Sequence, residues 1–421
     1  METSGENPAP SSDRHVPQAG AFVCAFLGRR DSYQVPVALA ENGLLDQFIT
    51  DIYASPVIRK LALLAPARIG SKLASRFHPA IPSERVRCLW GAALLENARH
   101  RLGVNPRLTH MRSDRHISEA AAMRAAKQRS NLFLYSPYAW EAFTAKYRHY
   151  PFRVLFQYHP HPDLEARLLS DDAIQFQSTA EIHPPDQDQS VPDELLRRER
   201  NSWRYADLII CASSFTKRSL IDDGCDERLC RVIPYGIHAP SVLEGRPPAE
   251  EFNVVFVGSG CQRKGLHHLI LAWRQLSLKR PATLTLICRA LDSGIERMIA
   301  STPRVILRRG VPAQELNRLY ATSTLFVMPS LVEGFGQVYL EAMAQGCPVL
   351  GTSNTGLPDI GSEADGVFLV APGSIDEMLA KLENLSQSLP ANLIIRQAAQ
   401  KCAAQFTWPR FRRNLIEAIL K

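Results

Sequence analysis

Short apolar runs alternate along the chain with segments whose apolar residues recur at helical spacing, and the alternation occurs twice. In the first half "AFVCAFL" (21–27), "NLFLY" (131–135), "FRVLFQ" (152–157) and "DLIICA" (207–212) read as strands, with a helix around 35–43 after the loop "GRRDSY". In the second half "FNVVFVG" (252–258), "ATLTLIC" (282–288), "RVILR" (304–308), "TLFVMPS" (324–330) and "CPVLGT" (347–352) read the same way. Helical segments fall between them, at about 265–279, 312–321 and 336–346. Strands that are apolar throughout are covered on both faces, as in parallel sheets flanked by helices. Two such sets predict two doubly wound α/β domains.

The Gly- and Pro-rich stretch "YGIHAPSVLEGRPPAEE" separates the two sets and reads as a linker. The expected organisation is a disordered tail over 1–20, an N-terminal domain over 21–235 and a linker over 236–251. A C-terminal domain over 252–405 and a closing amphipathic helix over 406–421, "FTWPRFRRNLIEAILK", follow. The first twenty residues are polar, without the apolar run of a signal peptide. No apolar stretch approaches the ~18 residues of a membrane span. Nine cysteines without a CxxC pair fit reduced thiols in a cytosol. The expected location is therefore cytoplasmic, with any membrane contact made from the inner surface.

Charge changes that picture in one region. The net charge is +7, yet residues 59–115 alone hold twelve basic residues against three acids. "VIRKLALLAPARIGSKLASRF" mixes these cations with Leu, Ile and Ala, a composition that attracts anionic lipid headgroups at ~1 kcal/mol per basic residue. A solvated basic face and a soluble anionic acceptor are the other readings of region 56–115. Nucleic acid fits poorly, because no stacking aromatics interleave with the charges.

The chemistry concentrates in two strand-to-helix turns, where ligands of such sheets bind. In "LFVMPSLVEGFGQVYLEAMAQGCPVL" the acids Glu333 and Glu341 are separated by seven residues and bracket Gly334 and Gly336. The glycines allow a tight turn and close backbone approach. The helix opening near Gly336 offers N–H groups and a positive dipole end to phosphate. Glu341, just over a turn in, leans back toward that end and can accept from the two hydroxyls of a ribose. Glu333 can meet a second hydroxylated group beyond the phosphates. Alone, the same residues also describe an ordinary acidic helix start.

The second turn is "VVFVGSGCQRKGLHHLILAW". Its strand ends at Gly258, Ser259 and Gly260 follow, and Arg263-Lys264-Gly265 opens the next helix. Two cations on a loop suit a diphosphate, both for binding and for stabilising charge on departure. Two glycine turns of this kind in one domain point to a nucleotide ligand.

Together these stretches resemble the family 4 nucleotide-sugar glycosyltransferases, over roughly residues 195–421. "YADLIICASSFTKRSLIDDGCDERLCRVIPYGI", "GLPDI" and "DGVFLVAPGSIDEMLAKL" are similar to that family's elements in the same order. The resemblance implies a GT-B-like α/β fold of two Rossmann-like domains facing a central cleft, with a C-terminal helix able to pack back on the N-terminal domain. It implies retaining transfer of a sugar from a nucleoside-diphosphate sugar, the co-substrate, to an acceptor hydroxyl, without a cofactor or a metal. The acceptor would be a saccharide or lipid-linked, in bacterial-type surface polysaccharide or glycolipid synthesis. Arg263 and Lys264 would hold the diphosphate, Glu341 the ribose and Glu333 a hydroxyl of the transferred sugar. Backbone around Gly258, Ser259 and Gly260, and around Gly334, Phe335, Gly336, Gln337 and Val338, would face the donor.

Two departures stand out. Many members carry an arginine where this chain has Ser259, and their linker Asn is Tyr235 here. In the N-terminal half, "FQYHPHPD" ends a strand with His159 and His161, and the family's histidine near the transferred sugar corresponds to one of them. His159 is preferred because it follows the apolar run sooner. The four site residues expected to act in the chemistry are Glu333, His159, Arg263 and Lys264. The pair Asp186 and Asp188 lies in a proline-rich loop with no strand leading into it, so it reads as a coincidence rather than a cation site. Arg29 and Arg30 of "GRRDSY" read as a solvated loop or a phosphate site. A nucleotide-sugar epimerase or phosphorylase on the same fold, or a non-catalytic nucleotide-sugar-binding subunit, are the alternative functions.

Overall fold

A computed structural model of the chain describes residues 20–55, 58–59, 70, 73–91, 106–176, 193–238, 250–390 and 392–421. Nearly all of the expected tail, most of the expected linker, Asp186 and Asp188, and much of the basic region 56–115 lie outside the described residues.

Strands β1 (Phe22–Ala25), β2 (Leu45–Thr50), β3 (Val86–Cys88), β4 (Asn131–Tyr135), β5 (Arg153–Gln157), β6 (Leu208–Cys211) and β7 (Cys230–Val232) form one sheet, in the order β3-β2-β1-β4-β5-β6-β7. Strands β8 (Phe252–Val257), β9 (Ala282–Ile287), β10 (Val305–Arg308), β11 (Leu325–Val327), β12 (Val349–Thr352) and β13 (Val367–Val370) form the other, in the order β10-β9-β8-β11-β12-β13. Between the strands of the first sheet run α1 (Gln34–Glu41), α2 (Pro106–Gln128), α3 (Trp140–Thr144), α4 (Pro162–Phe176), α5 (Asp193–Asn201) and α6 (Ser214–Asp222). With the second go α7 (Leu266–Gln275), α8 (Ser293–Ala300), α9 (Ala313–Thr322), α10 (Gln337–Ala344), α11 (Ile375–Ser388), α12 (Leu393–Ala403) and α13 (Trp408–Leu420). Nine of the thirteen strands fall on the apolar runs read above, and both sheets are parallel as expected; β2, β3, β7 and β13 lie outside those runs.

The chain divides into two compact units: Met1–Leu155 with Tyr205–Leu208 and Ile416–Lys421, and Phe156–Arg204 with Ile209–Leu415. In the first, Phe26, Tyr33, Phe48 and Tyr135 pack as an aromatic cluster around the end of β1. The loop after β1 is bent hard: Asp31, Ser32 and Tyr33 hold φ of 46°, 51° and 66°. Side-chain-bearing residues in that region cost roughly 1–2 kcal/mol each. Tyr135 donates its hydroxyl to Asp31 Oδ2 at 2.8 Å, and the Arg30 guanidinium lies over the Tyr135 and Tyr138 rings at 5.2 and 5.7 Å. Of the two arginines in "GRRDSY", Arg29 is exposed and Arg30 is carried on aromatic faces.

In the second unit β8 is central. β9 and β10 continue the sheet on one side and β11, β12 and β13 on the other, so the strand order reverses between β8 and β11. These two strands pair in parallel, with Leu325 opposite Val254 and Phe326 opposite Val255. The turns that follow them therefore emerge side by side, at the position where open α/β sheets bind ligands. The strands are held by buried apolar side chains such as Val254, Val255, Phe256, Leu325 and Phe326, each contributing about 1.5–3 kcal/mol. Trp273 on α7 is fully buried against this sheet's helix layer.

Candidate functional site

The turn after β8 rises through Gly258, exposed Ser259 and buried Gly260, forms a short 3-10 turn over Gln262–Lys264 and closes at Gly265. Gly265 holds φ +65°, and a Cβ there would sit 1.9 Å from the Pro329 carbonyl oxygen. Only glycine fits such an approach. The two turns are also tied by the Leu331 N–H, which donates to the Arg263 carbonyl at 3.0 Å.

That contact delivers the two cations to the acid of the other turn. Arg263 Nη1 donates to Glu333 Oε2 at 2.9 Å and to the Val332 carbonyl at 3.2 Å. Lys264 Nζ pairs with the same Glu333 oxygen. The Glu333 side chain is 12% exposed and that of Lys264 13%, so little water screens the cluster. Burial alone would push the Glu333 carboxyl up, but Lys264, Arg263 and His159 outweigh it and hold the pKa down at about 2.

The Glu333 turn is fixed from below as well. Its N–H donates to the Asn354 carbonyl at 3.0 Å, and Asn354 Nδ2 returns a bond to the Leu331 carbonyl. A Cβ at Gly334 would lie 1.8 Å from the Tyr158 carbonyl oxygen, so the loop after β5 runs directly against this turn. Phe335 is buried, and Gly336, at φ +88°, starts α10. Gln337 donates through Nε2 to the Gly236 carbonyl at 3.0 Å, which puts the Pro234-Tyr235-Gly236 segment at the first turn of α10 beside Val338. Glu341 is exposed and makes no hydrogen bond or ion pair with the described residues. Enough protein nevertheless surrounds its carboxyl for desolvation to raise its pKa, as happens in a concave surface still open to water.

The two histidines separate cleanly. His159 is partly buried, with Nδ1 3.8 Å from Glu165 Oε2, and its charge is felt at Glu333. His161 is 2% exposed. Its Nε2 lies 3.3 Å from the Arg200 carbonyl and 3.4 Å from Asp223, and its N–H donates to Ser219 Oγ at 2.9 Å. The structure thus brings His159, Arg263, Lys264 and Glu333 together, sets Glu341 one helical turn beyond, and leaves His161 in a packing role.

Three features escape the sequence reading. Glu165, on α4, stands between His159 and Arg263, 3.9 Å from the Arg263 Nε. Desolvation raises its pKa, with Arg263 opposing. Asp359 of "GLPDI" accepts the Ser214 N–H at 2.7 Å and pairs with the Ser214 hydroxyl, capping α6 from far along the chain. Ligand-type clusters, which the sequence reading did not find, also form: His161 with Asp163 and Asp223, and Asp172 with His267 and His268. In each, one member comes from a segment distant in sequence from the other two, so no spacing rule could expose the set.

Residues 251–388, the segment that carries both turns, match the family model "Glycosyl transferases group 1". Among curated proteins the chain is similar to MMP alpha-(1->4)-mannosyltransferase of Mycolicibacterium hassiacum, 27% identical over 197 residues that cover 45% of this chain and 48% of that protein. It is also similar to O-antigen chain mannosyltransferase B of Escherichia coli, 25% identical over 279 residues that cover 62% of this chain and 71% of that one. The matched stretch thus spans about half the length of the first relative. Among solved structures, sucrose-phosphate synthase of Thermosynechococcus elongatus superposes with a TM-score of 0.63 at 18% identity, covering 94% of this chain and 98% of that one. The likeness shows a shared fold, the GT-B arrangement of two Rossmann-like parallel-sheet domains.

Proposed function

We propose that the chain is a retaining glycosyltransferase that moves a sugar from a nucleoside-diphosphate sugar to an acceptor hydroxyl. The observation that carries the proposal is the Glu333 carboxylate held by Arg263 and Lys264 where the turns after β8 and β11 meet, within a segment matching group 1 glycosyl transferases. Arg263 and Lys264 offer fixed positive charge to the departing diphosphate, the term on which such transfer chiefly depends. Glu333, ionised throughout the physiological range, orients both cations and accepts from a sugar hydroxyl. His159 adds a second hydrogen-bonding group to the sugar. Glu341 accepts from the ribose, and the Glu-x7-Glu spacing places one acid on each side of the α10 N-terminus. The diphosphate charge is met by side chains and helix dipole, without a metal or another cofactor.

The acceptor is a saccharide or lipid-linked glycan of a bacterial-type surface polysaccharide or glycolipid. The E. coli relative, an O-antigen chain enzyme by name, supports this class. The excess of basic residues over 59–115 supports work at an anionic membrane face from the cytoplasm. No helix among the described residues is long and apolar enough to cross a membrane.

Nucleoside diphosphate release from UDP-, GDP- and ADP-sugars, measured without added metal in wild type and Glu341→Ala, tests the donor reading. Release from one donor, lost in the variant, is expected. Absence of both binding and release with every donor would sink the proposal. Co-sedimentation with anionic and neutral vesicles tests the membrane element, and equal partition between them would remove it.

A further inference from the structure

Asp172 on α4 lies buried, 6% exposed, facing His267 and His268 at the first turn of α7, which are 0% and 1% exposed. His268 Nε2 is 2.6 Å from Asp172 Oδ1, and His267 Nε2 is 3.2 and 3.1 Å from the two carboxylate oxygens. Gln262 donates through Nε2 to Oδ2 at 2.8 Å and to the Leu169 carbonyl at 2.8 Å, fixing the carboxylate plane. Phe176 closes the group, its ring edge-on to both imidazoles at 5.1 and 5.0 Å.

Charge balance is the question this group raises. A buried carboxylate requires compensation, and hydrogen bonds from neutral groups supply only part of it. The other cluster, whose two acids reach solvent, is already balanced: Asp163 pairs with Arg200 at 2.5 Å and Asp223 with Arg204 at 3.1 Å. Asp172 has no lysine or arginine partner among the described residues. Its neighbours are two imidazoles that aim Nε2 inward, and their Nδ1 atoms are buried without a hydrogen bond. Such a set either protonates one imidazole or takes a cation.

We infer that Asp172, His267 and His268 form a buried structural site for a divalent transition ion of the zinc class. Two imidazole nitrogens and a carboxylate oxygen are the ligand types such an ion prefers. The three ligand atoms lie within 4.8 Å of one another. Bonds of about 2.0–2.1 Å in a tetrahedron separate ligands by about 3.3 Å, so the carboxylate–imidazole separations of 2.6 and 3.2 Å open by less than ~1 Å to receive the ion. Oδ1 binds it with both Nε2 atoms, while Oδ2 stays with the Gln262 amide as outer support. The ion would pin α4 to the turn that presents Arg263 and Lys264. It takes no part in transfer, and the inference does not depend on the transferase assignment.

The test uses the full chain without a polyhistidine tag, equilibrated with Zn²⁺, gel-filtered and assayed for metal by mass spectrometry. About one equivalent per chain is expected, lost in His267→Gln and in His268→Gln and kept in His161→Gln. Gln262→Ala should weaken zinc binding by about 10–100-fold. Zinc should raise the melting temperature of wild type by several degrees and leave both ligand variants unmoved. Wild type that elutes metal-free, or a His268→Gln variant that keeps its equivalent, overturns the inference. Should the variants not fold, Co²⁺ added to wild type decides: tetrahedral ligand-field bands support the site, and the spectrum of hydrated cobalt alone overturns it.

Discussion

Glu333 Oε2 accepts from Arg263 Nη1 at 2.9 Å while also pairing with Lys264, so one oxygen organises both cations of the neighbouring turn. Its pKa, near 2 against an ordinary 4.5, makes that cluster a pH-dependent part of the fold. The folded chain binds this proton more weakly than the unfolded chain does. The stabilisation is therefore complete above about pH 4.5 and is lost as pH falls toward 2. Glu333→Gln removes the carboxylate shared by two adjacent, partly buried cations and leaves Arg263 only the more distant Glu165, at a cost on the order of 3 kcal/mol near neutrality. Urea unfolding at pH 7 and at pH 3 should show that gap shrinking in acid; a gap independent of pH would contradict the assignment.

Glu341 offers the opposite contrast, since it supports nothing in the fold. Glu341→Ala should leave the melting temperature within a degree or two of wild type. Loss of a charged acceptor to ribose should cost donor binding about 1.5–3 kcal/mol, roughly 10–100-fold in Kd. Calorimetry with the turnover-competent donor reads both effects, and an unchanged Kd would remove Glu341 from the site.

His159 and His161 should fail in different ways. His159→Ala should lower turnover by roughly tenfold or more with little change in melting, as for a lost hydrogen bond to substrate. His161→Ala removes a buried group bonded near Arg200 and Asp223, and should cost about 1–3 kcal/mol of stability. Thermal melts beside initial rates distinguish them; the reverse pattern would exchange their roles.

Gly265 and Gly43 form a matched pair, with φ of +65° and +68°. A Cβ at Gly43 meets nothing within 4 Å, whereas one at Gly265 strikes the Pro329 carbonyl. Gly43→Ala should cost only the conformational term, about 1 kcal/mol, and spare donor binding. Gly265→Ala should cost at least ~2 kcal/mol and weaken the donor, because the Arg263-Lys264 turn must shift. Equal melting temperatures for the two variants would show that the contact is soft.

Apolar runs made most of this fold legible. "NLFLY" and "FNVVFVG" lie on β4 and β8 because fully buried strands need no alternation to be recognised. Shorter or mixed strands were harder: β2, "LDQFIT", carries Asp46 and Gln47, and β7 is three residues long. Glycine turns exposed Arg263, Lys264, Glu333 and Glu341 because the features that mark them lie within a dozen residues of each acid or cation. Asp172 and Asp359 act on partners 90 to 145 positions away, and Glu165 meets Arg263 from a separate helix, where sequence offers only an ordinary acid on a helix or turn. His267 and His268 sat in plain view beside Lys264, but nothing local links them to Asp172, 95 and 96 residues earlier.

The seventy positions that separate Arg263 from Glu333 also have a meaning in time. A ribosome adding about 5–20 residues per second needs roughly 4–14 seconds to follow the two cations with their carboxylate. Until β11 has emerged and paired with β8, Arg263 and Lys264 ride on a nascent chain without the Glu333 carboxylate. Truncated chains released before that point should carry the cations without the partner that organises them. The geometry proposed to hold the donor is thus among the later things this domain acquires during its own synthesis.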